Sequence, residues 1–250
     1  YSGDSLQGRY FYFRLHPLSV AELGIESKSD FMNLLNLSGF PEPYFSGKIK
    51  DRDRWARDYR TRFFREDLTS LERVDDLGSL ELLMLRLPDL VGSPLSVNSL
   101  REDLQKSHKT ISRWIDIFER LYGLFRLSPF GGSKIKAVKK EQKHYHYDWA
   151  LCPEEPQKLE NLVACHYKQD TEATPLDLRY FRDSDGREVD FVITEKNKPA
   201  LLIEVKTHSK ELSPSLKYLK AKYPQAKAFQ IHLDEKIDYI SNEIRCMPAW

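Results

Sequence analysis

The sequence predicts a mixed α/β protein in which a helical region comes first and a mixed sheet flanked by helices follows. Apolar residues recur at helical spacing through the first part of the chain, whereas from residue 176 onward they form short runs separated by turn residues. The 250 residues are 40% hydrophobic and 12% aromatic, which is enough apolar material to fill the cores of two ordinary domains.

The spacing of the cysteines and the hydropathy of the chain argue against several classes of protein. Cys152, Cys165 and Cys246 lie far apart and form no CxxC pair, so the sequence predicts neither a disulfide framework nor a zinc site. No run approaches the roughly 20 apolar residues of a membrane helix, and the N-terminus has no basic-then-apolar signal pattern. We therefore expect a soluble protein of the cytoplasm.

Charge is unevenly distributed along the chain, although the formal net charge is only +1. In residues 95–150, Lys and Arg outnumber Asp and Glu by 11 to 6, whereas acidic residues are in slight excess before and after this block. A local basic excess attracts polyanions, although a solvated basic face is the more ordinary explanation. The middle block is therefore where a nucleic-acid contact is expected.

The first 94 residues predict a short strand followed by helices. The aromatic stretch from Arg9 to Leu15 alternates as a strand does, and Ser19 could cap a short helix after it. Between Ser29 and Gly92, leucines and aromatic residues recur at helical spacing, with prolines as punctuation. The isolated strand has no obvious partner nearby, so we expect the chain to begin inside a larger domain.

Residues 95–150 predict a winged-helix layout. A helix from Leu95 to Leu104 is followed by Ser107 as the N-cap of a second helix with one apolar face, and then by two short strands joined by a basic loop. In such a layout the second helix would enter a major groove while loop lysines touch phosphates. The candidate nucleic-acid-binding residues are Lys109, Arg113, Lys134, Lys136, Lys139 and Lys140. DNA is the expected partner and RNA the alternative, but winged helices also serve purely as packing or protein-contact modules.

The last 100 residues predict a sheet with flanking helices. A helix runs from Lys158 to Lys168, and strands are predicted over Leu176 to Arg182, Glu188 to Ile193 and Ala200 to Lys206. A further helix over residues 213–223 and a strand over 227–233 follow. The sheet is therefore expected to be mixed.

Three charged residues interrupt the apolar strands of this sheet. Glu204 and Lys206 share one face of their strand, and Asp190 can lie beside them on the neighbouring strand. Burying such charges unpaired would cost several kcal/mol each. A divalent cation bound between the carboxylates would offset this cost. The sequence therefore predicts a Mg²⁺ site on Asp190 and Glu204, with Glu160 of the preceding helix as a ligand for a second ion and Lys206 positioning water or stabilising the transition state.

Simpler explanations exist for each of these residues. Asp190 and Lys206 could form a buried salt bridge that only orders the sheet. Arginines that flank the site could contact a nucleic-acid backbone or pair locally with acidic residues. His144 and His146 alternate on one strand face without a third ligand, and we interpret them as a solvated surface.

Asp190 followed by Glu204-Val-Lys206 resembles the motif of the restriction-endonuclease-like nuclease superfamily, which implies catalytic roles for Asp190, Glu204 and Lys206. More broadly, the chain resembles the C-terminal part of a bacterial and archaeal family of AAA-type ATPases that end in a domain of unknown function with this fold. The matching phrases are Leu6 to Arg9, His16 to Leu23, Lys158 to Val163, Leu178 to Asp183, Gly186 to Ile193 and Leu201 to Lys206.

This resemblance implies four regions: a remnant of the ATPase core over 1–24, a helical lid-like region over 25–94, a winged-helix-like domain over 95–150 and a restriction-endonuclease-like domain over 151–250. No GxxxxGK[ST] phosphate-binding loop occurs in the sequence, so we expect ATP to bind only in a full-length protein and not to this chain alone.

Two functions remain open from the sequence. The first is a Mg²⁺-dependent nuclease domain coupled through a winged helix to an ATPase. The second is a catalytically silent nuclease fold that binds DNA or protein, because many members of a fold keep the scaffold without the chemistry.

Overall fold

The computed structural model describes residues 14–62, 76–131, 142–208 and 211–250. These residues form eight α-helices, a two-stranded sheet and a six-stranded mixed sheet, which confirms the predicted mixed α/β class. The predicted strand from Arg9 to Leu15 lies largely outside the described residues. Ser19 caps a turn rather than a helix, since its hydroxyl accepts from the Glu22 N–H at 3.2 Å.

Helices dominate the first part of the chain, as predicted. Side-chain oxygens of Ser27 and Asp76 accept backbone N–H groups at the starts of two of these helices, which satisfies donors that would otherwise be left open. The helices are α1 Lys28–Leu37, α2 Pro41–Ser46, α3 Ile49–Arg62 and α4 Leu77–Arg86, and a 3₁₀ helix Leu87–Leu90 follows.

A helix-turn-helix and a hairpin come next. Helices α5 Val97–Asp103 and α6 His108–Arg120 are followed by antiparallel strands β1 Leu124–Leu127 and β2 Lys143–His146. Ser107 is the N-cap of α6, because its hydroxyl accepts from the Thr110 N–H at 3.0 Å. The apolar face of α6 is buried against α4 and α5 in one core.

The prediction for the histidines of β2 is wrong. His144 and His146 are buried rather than solvated, because both faces of β2 are covered. His144 contacts the 3₁₀ helix through a hydrogen bond between its Nε2 and the Leu87 carbonyl, at 2.9 Å.

The larger sheet has the order β3-β4-β5-β6-β8-β7. Strand β4 is antiparallel to both β3 and β5, whereas β6 is parallel to both β5 and β8. Strand β7 is antiparallel to β8. Strands β7 and β8 were not predicted. The strands are β3 Leu176–Arg182, β4 Glu188–Glu195, β5 Lys198–Val205, β6 Lys227–His232, β7 Tyr239–Ser241 and β8 Ile244–Pro248.

Two helices flank this sheet, and one core joins it to the first part of the chain. Helix α7 Glu155–Thr171 and helix α8 Pro214–Lys222 each contact strands of the sheet. Buried side chains of α1, the hairpin, α7 and the sheet belong to a single cluster. Trp149, fully buried in this cluster, donates its indole N–H to the Leu34 carbonyl at 3.1 Å.

The hairpin also touches the sheet directly. The backbone after β1 pairs with β3, since the Phe130 N–H donates to the Tyr180 carbonyl at 2.6 Å. This contact brings the inner face of β2 toward β4. Within the described ranges, no helix combines the length and apolar character needed to cross a bilayer.

Candidate metal and phosphodiester site

Asp190 and Glu204 meet because β4 and β5 are antiparallel neighbours. Phe191 pairs with Ile203 in the ladder, which places Asp190 beside the end of β5. The Val205 N–H donates to Oδ2 of Asp190 at 2.8 Å. Burial, followed by the charges of Glu160 and Glu204, raises the pKa of Asp190 well above its ordinary value.

Glu204 is the more deeply buried of the two carboxylates, with only 4% of the residue exposed. Its Oε1 lies 2.8 Å from Nζ of Lys206, whereas its Oε2 is buried without a hydrogen-bond partner. Burial raises the pKa of Glu204, and the positive charge of Lys206 opposes that rise. One oxygen of this carboxylate is therefore buried without a hydrogen-bond partner, and the nearby Ser213 hydroxyl also acts to lower the pKa of the group.

Lys206 follows the last residue of β5 and remains accessible to solvent. About half of its side chain is exposed, at 47%, and its backbone N–H donates to the Ile231 carbonyl at 2.9 Å. Burial opposes its charged form, but the charges of Glu204, Asp190 and Glu160 together raise the pKa of Lys206. Lys206 is thus a cation that both contacts Glu204 and can reach a bound molecule.

Lys143 of β2 is a part of the site that the sequence did not predict. Its side chain is fully buried, and its Nζ lies 2.5 Å from Oε1 of Glu188, 3.3 Å from Oε1 of Glu160 and 3.8 Å from Oδ1 of Asp190. Burial would lower its pKa, but these three carboxylates raise the pKa of Lys143 above its ordinary value. The only sequence signal was that Lys143 and Tyr145 share one face of an otherwise buried strand.

Glu160 reaches the same cluster from helix α7. Its Oε1 accepts from the Tyr145 hydroxyl at 2.7 Å and lies 3.3 Å from Nζ of Lys143. On its other side stands Gly92, whose φ is +82°, and a Cβ added there would lie 2.8 Å from Oε2 of Glu160. A side chain at position 92 would therefore be strained and would require Glu160 to shift, while the role of Glu160 as a metal ligand stays a prediction.

The residues at this edge fit one hard divalent cation held by two carboxylates. No group of three or more His, Cys, Asp or Glu side chains among the described residues is arranged to hold a metal ion. Mg²⁺, however, is commonly held by one or two carboxylates and keeps several waters. Asp190 and Glu204 supply that number, and the partnerless Oε2 of Glu204 is an acceptor suited to a cation.

The predicted nucleic-acid contacts are only partly within the described residues. Lys109 and Arg113 lie on the exposed side of α6. The four loop lysines, Lys134, Lys136, Lys139 and Lys140, lie outside the described residues. Their contact with DNA stays a prediction.

The arginines near the site pair with acidic neighbours. Arg187 lies 2.8 Å from Asp183 and stacks over the Tyr218 ring at 4.0 Å, and Arg182 lies 3.5 Å from Glu188. Arg179 likewise lies 3.6 Å from its strand neighbour Asp177. The local pairing considered for these arginines is therefore present in the structure.

Two family models together cover nearly all of the chain. Residues 28–155 match a family described as "Domain of unknown function (DUF8612)", and residues 157–250 match one described as "Domain of unknown function (DUF4143)". The second family is often found as the C-terminal domain of AAA-type ATPases. No curated protein and no solved structure matched the chain. The boundary between the two matches falls in the first turn of helix α7, so Lys143 and Tyr145 come from the first family's segment, whereas the four carboxylates and Lys206 come from the second.

Proposed function

The chain belongs to the DUF8612 family. Because residues 157–250 also match DUF4143, a family often found as the C-terminal domain of AAA-type ATPases, we propose that the chain is the C-terminal portion of such an ATPase and carries a Mg²⁺-dependent phosphodiesterase centre in its DUF4143 segment. Nucleic acid would be the substrate, with DNA expected before RNA. ATP would be bound by the ATPase core of a full-length protein.

Asp190 and Glu204, with the backbone carbonyl of Val205, would hold one Mg²⁺. When bound, such an ion polarises a phosphodiester and lowers the pKa of a coordinated water. Lys206 would donate hydrogen bonds to the negative charge that develops on the phosphate oxygens, since its ammonium is accessible and lies 2.8 Å from Glu204. The two carboxylates and the lysine are the catalytic residues of this proposal.

The observation that carries the proposal is the buried Oε2 of Glu204, which has no hydrogen-bond partner. A carboxylate oxygen left in that state costs on the order of a few kcal/mol, because the group has lost its water without gaining a partner. A cation between Glu204 and Asp190 would remove this cost. It would also offset the repulsion that raises the pKa of Asp190.

Helix α6 would supply part of the grip on the nucleic acid. Lys109 and Arg113 lie one turn apart on its exposed side, within the block of residues 95–150 that has the basic excess. Phosphate contacts of this kind position a duplex without reading its sequence. Binding through them would weaken steeply as salt is raised.

A second candidate is a catalytically silent platform that binds DNA or protein. Lys143 favours it, because an internal ammonium already lies against Glu160, Glu188 and Asp190. A carboxylate cluster neutralised from within has less need of a metal ion. The two candidates differ in whether the wild-type chain binds a divalent cation at all.

The test combines metal titration by calorimetry with a plasmid-nicking assay. Wild type and Asp190→Ala are titrated with Mg²⁺ and with Mn²⁺, and Glu235→Ala, which removes an exposed acid elsewhere, serves as the matched control. We expect binding and nicking in wild type and control and neither in Asp190→Ala. Metal binding without nicking would exclude the enzyme, and absence of metal binding in wild type would leave the silent platform.

A further inference from the structure

His208 and Asp234 form a hydrogen-bonded pair just beyond the candidate metal site. Nδ1 of His208 lies 3.1 Å from Oδ1 of Asp234, and 67% of the His208 side chain is exposed. An ionised carboxylate only accepts hydrogen bonds, so Nδ1 donates in this contact. Exposed pairs of this kind contribute little to stability, so the main consequence of the contact is the orientation that it gives to the ring.

The backbone holds this pair next to Lys206. Strands β5 and β6 are parallel, and hydrogen bonds between their segments continue past the end of β5. The Lys206 N–H donates to the Ile231 carbonyl at 2.9 Å, and the Leu233 N–H donates to the Thr207 carbonyl at 3.2 Å. Two residues of chain span at most about 7 Å, so the Cα atom of His208 lies within that distance of the Cα atom of Lys206.

Asp234 is held in place by a buried ring. The Asp234 N–H donates to Nδ1 of His232 at 3.1 Å, and His232, the last residue of β6, is fully buried. The carboxylate that contacts His208 therefore belongs to a residue whose backbone is fixed on the sheet. A carboxylate that sets the tautomer and orientation of an imidazole through Nδ1 leaves Nε2 available for proton transfer.

Cleavage of a phosphodiester is helped by a proton at the oxygen that leaves. In the proposed centre, Asp190 and Glu204 hold the ion and Lys206 contacts the phosphate oxygens that gain charge, so none of these residues protonates the leaving oxygen. A positioned general acid contributes about 10²–10⁴-fold to the rate of such a step, and histidine is the side chain that most often fills this role. His208 is a residue of this type at the same end of β5.

We propose that His208, oriented by Asp234, is the general acid of this reaction and therefore a further catalytic residue. The inference rests on the proposed phosphodiesterase function and adds the group that protonates the leaving product. Water attacks the phosphorus and loses a proton to solvent, the bond from phosphorus to the leaving oxygen breaks, and that oxygen takes the proton from Nε2 of the protonated ring. The ring regains a proton from solvent. Asp234 acts through His208 and is a positioning residue.

The experiment measures plasmid nicking with Mn²⁺ and the binding of Mn²⁺ by calorimetry. Wild type is compared with His208→Ala and with Glu235→Gln, a control that changes an exposed neighbour of Asp234. We expect His208→Ala to nick about 100-fold more slowly and to bind Mn²⁺ as wild type does, because the ring acts on the leaving oxygen and not on the ion. Added imidazole should restore about tenfold of the rate in His208→Ala alone, since it replaces the missing proton donor.

A double variant tests the positioning role of Asp234. Asp234→Ala alone should slow nicking, whereas Asp234→Ala added to His208→Ala should slow it no further, because residues that act as a unit have non-additive effects. Losses that add in the double variant would overturn the role of Asp234.

The activity of wild type separates this inference from the proposed function. If wild type nicks and His208→Ala nicks equally fast, or nicks slowly without rescue by imidazole, the general-acid role is overturned and the metal centre stands. Loss of Mn²⁺ binding in His208→Ala also overturns it, because the histidine would then act through the metal site. A wild type that does not nick overturns both the proposed function and this inference.

Discussion

Strand β2 and the end of strand β5 both bury polar side chains, but they satisfy them differently. On β2, Lys143 is fully buried against three carboxylates, and the unpartnered ring nitrogens of His144 and His146 belong to neutral rings. At the end of β5, Glu204 is buried beside a half-exposed lysine with one oxygen unpartnered. The first arrangement stabilises the fold, whereas the second leaves an acceptor for something that binds.

The largest expected effect is the difference in stability loss between substitutions of Lys143 and Lys206. Lys143→Ala leaves three carboxylates at a buried site without their shared cation, and we expect the free energy of unfolding to fall by about 3–5 kcal/mol. Lys206→Ala removes a half-exposed partner of one carboxylate and should cost only about 1 kcal/mol. Urea unfolding in EDTA measures both. Equal losses would contradict the distinction between a structural and a functional charge.

The dependence of stability on pH should further distinguish β2 from the end of β5. Burial lowers the pKa of His144 to about 4 and that of His146 to about 3. In the unfolded chain each pKa is about 6.5, so below that pH the unfolded chain binds more protons and stability falls as pH is lowered toward 4. Each ring contributes up to about 1.4 kcal/mol per pH unit.

The contribution of the histidines is isolated by substitution. Urea midpoints of wild type, His144→Gln and His208→Gln are compared between pH 7 and pH 4.5, because His208 is exposed while His144 is buried. The wild-type loss on acidification should be smaller in His144→Gln and unchanged in His208→Gln. A slope that both substitutions leave unaltered would show that the buried ring does not govern acid sensitivity.

Gly92 and Gly186 form a matched pair for the packing around Glu160. Both have a positive φ, +82° and +80°, so alanine is strained at each position by about 1 kcal/mol. Only at position 92 would the new Cβ lie 2.8 Å from Glu160, whereas no atom lies within 4 Å at position 186. We expect Gly92→Ala to lower the thermal midpoint more than Gly186→Ala. Equal shifts would mean that Glu160 moves aside without cost.

The smallest effect has the opposite sign. Since the pKa of Asp190 is raised in the fold, its charged form is disfavoured there at neutral pH, and stability from this group rises as pH falls through the folded pKa. Asp190→Asn should therefore stabilise the metal-free protein by about 1 kcal/mol, since an amide oxygen can still accept from the Val205 N–H. Thermal unfolding in EDTA checks this, with the exposed Glu235→Gln as control. A loss of stability would contradict the account.

Much of the sheet and part of the site could be predicted from local pattern. The alternation of side chains along a strand predicted that Glu204 and Lys206 share one face. In the structure, Asp190 and Glu160 lie near them. Lys143 could not be placed this way, because its contact with Asp190 depends on how the hairpin packs on the sheet, 47 residues away in sequence. That packing is a tertiary event without a local signature.

The wrong prediction for the histidines of β2 and the failure to predict β7 and β8 also have physical causes. His144 and His146 alternate as predicted, but both faces of β2 are buried, so alternation could not tell which side meets water. Strands β7 and β8 are joined through Asn242 and Glu243, both at positive φ. Asn-Glu is not one of the glycine-containing pairs by which a two-residue hairpin is recognised in a sequence. The exposed face of β7 carries little of the apolar alternation from which strands are recognised.

The unpartnered oxygen of Glu204 is the acceptor on which the proposed cation site depends. Calorimetric titration of Mn²⁺ into wild type and Glu204→Gln tests it most directly, because the substitution keeps the shape of the side chain and removes its charge. We expect one bound ion in wild type and no measurable binding in Glu204→Gln. Absence of binding in wild type, or equal affinity in the two proteins, would contradict it.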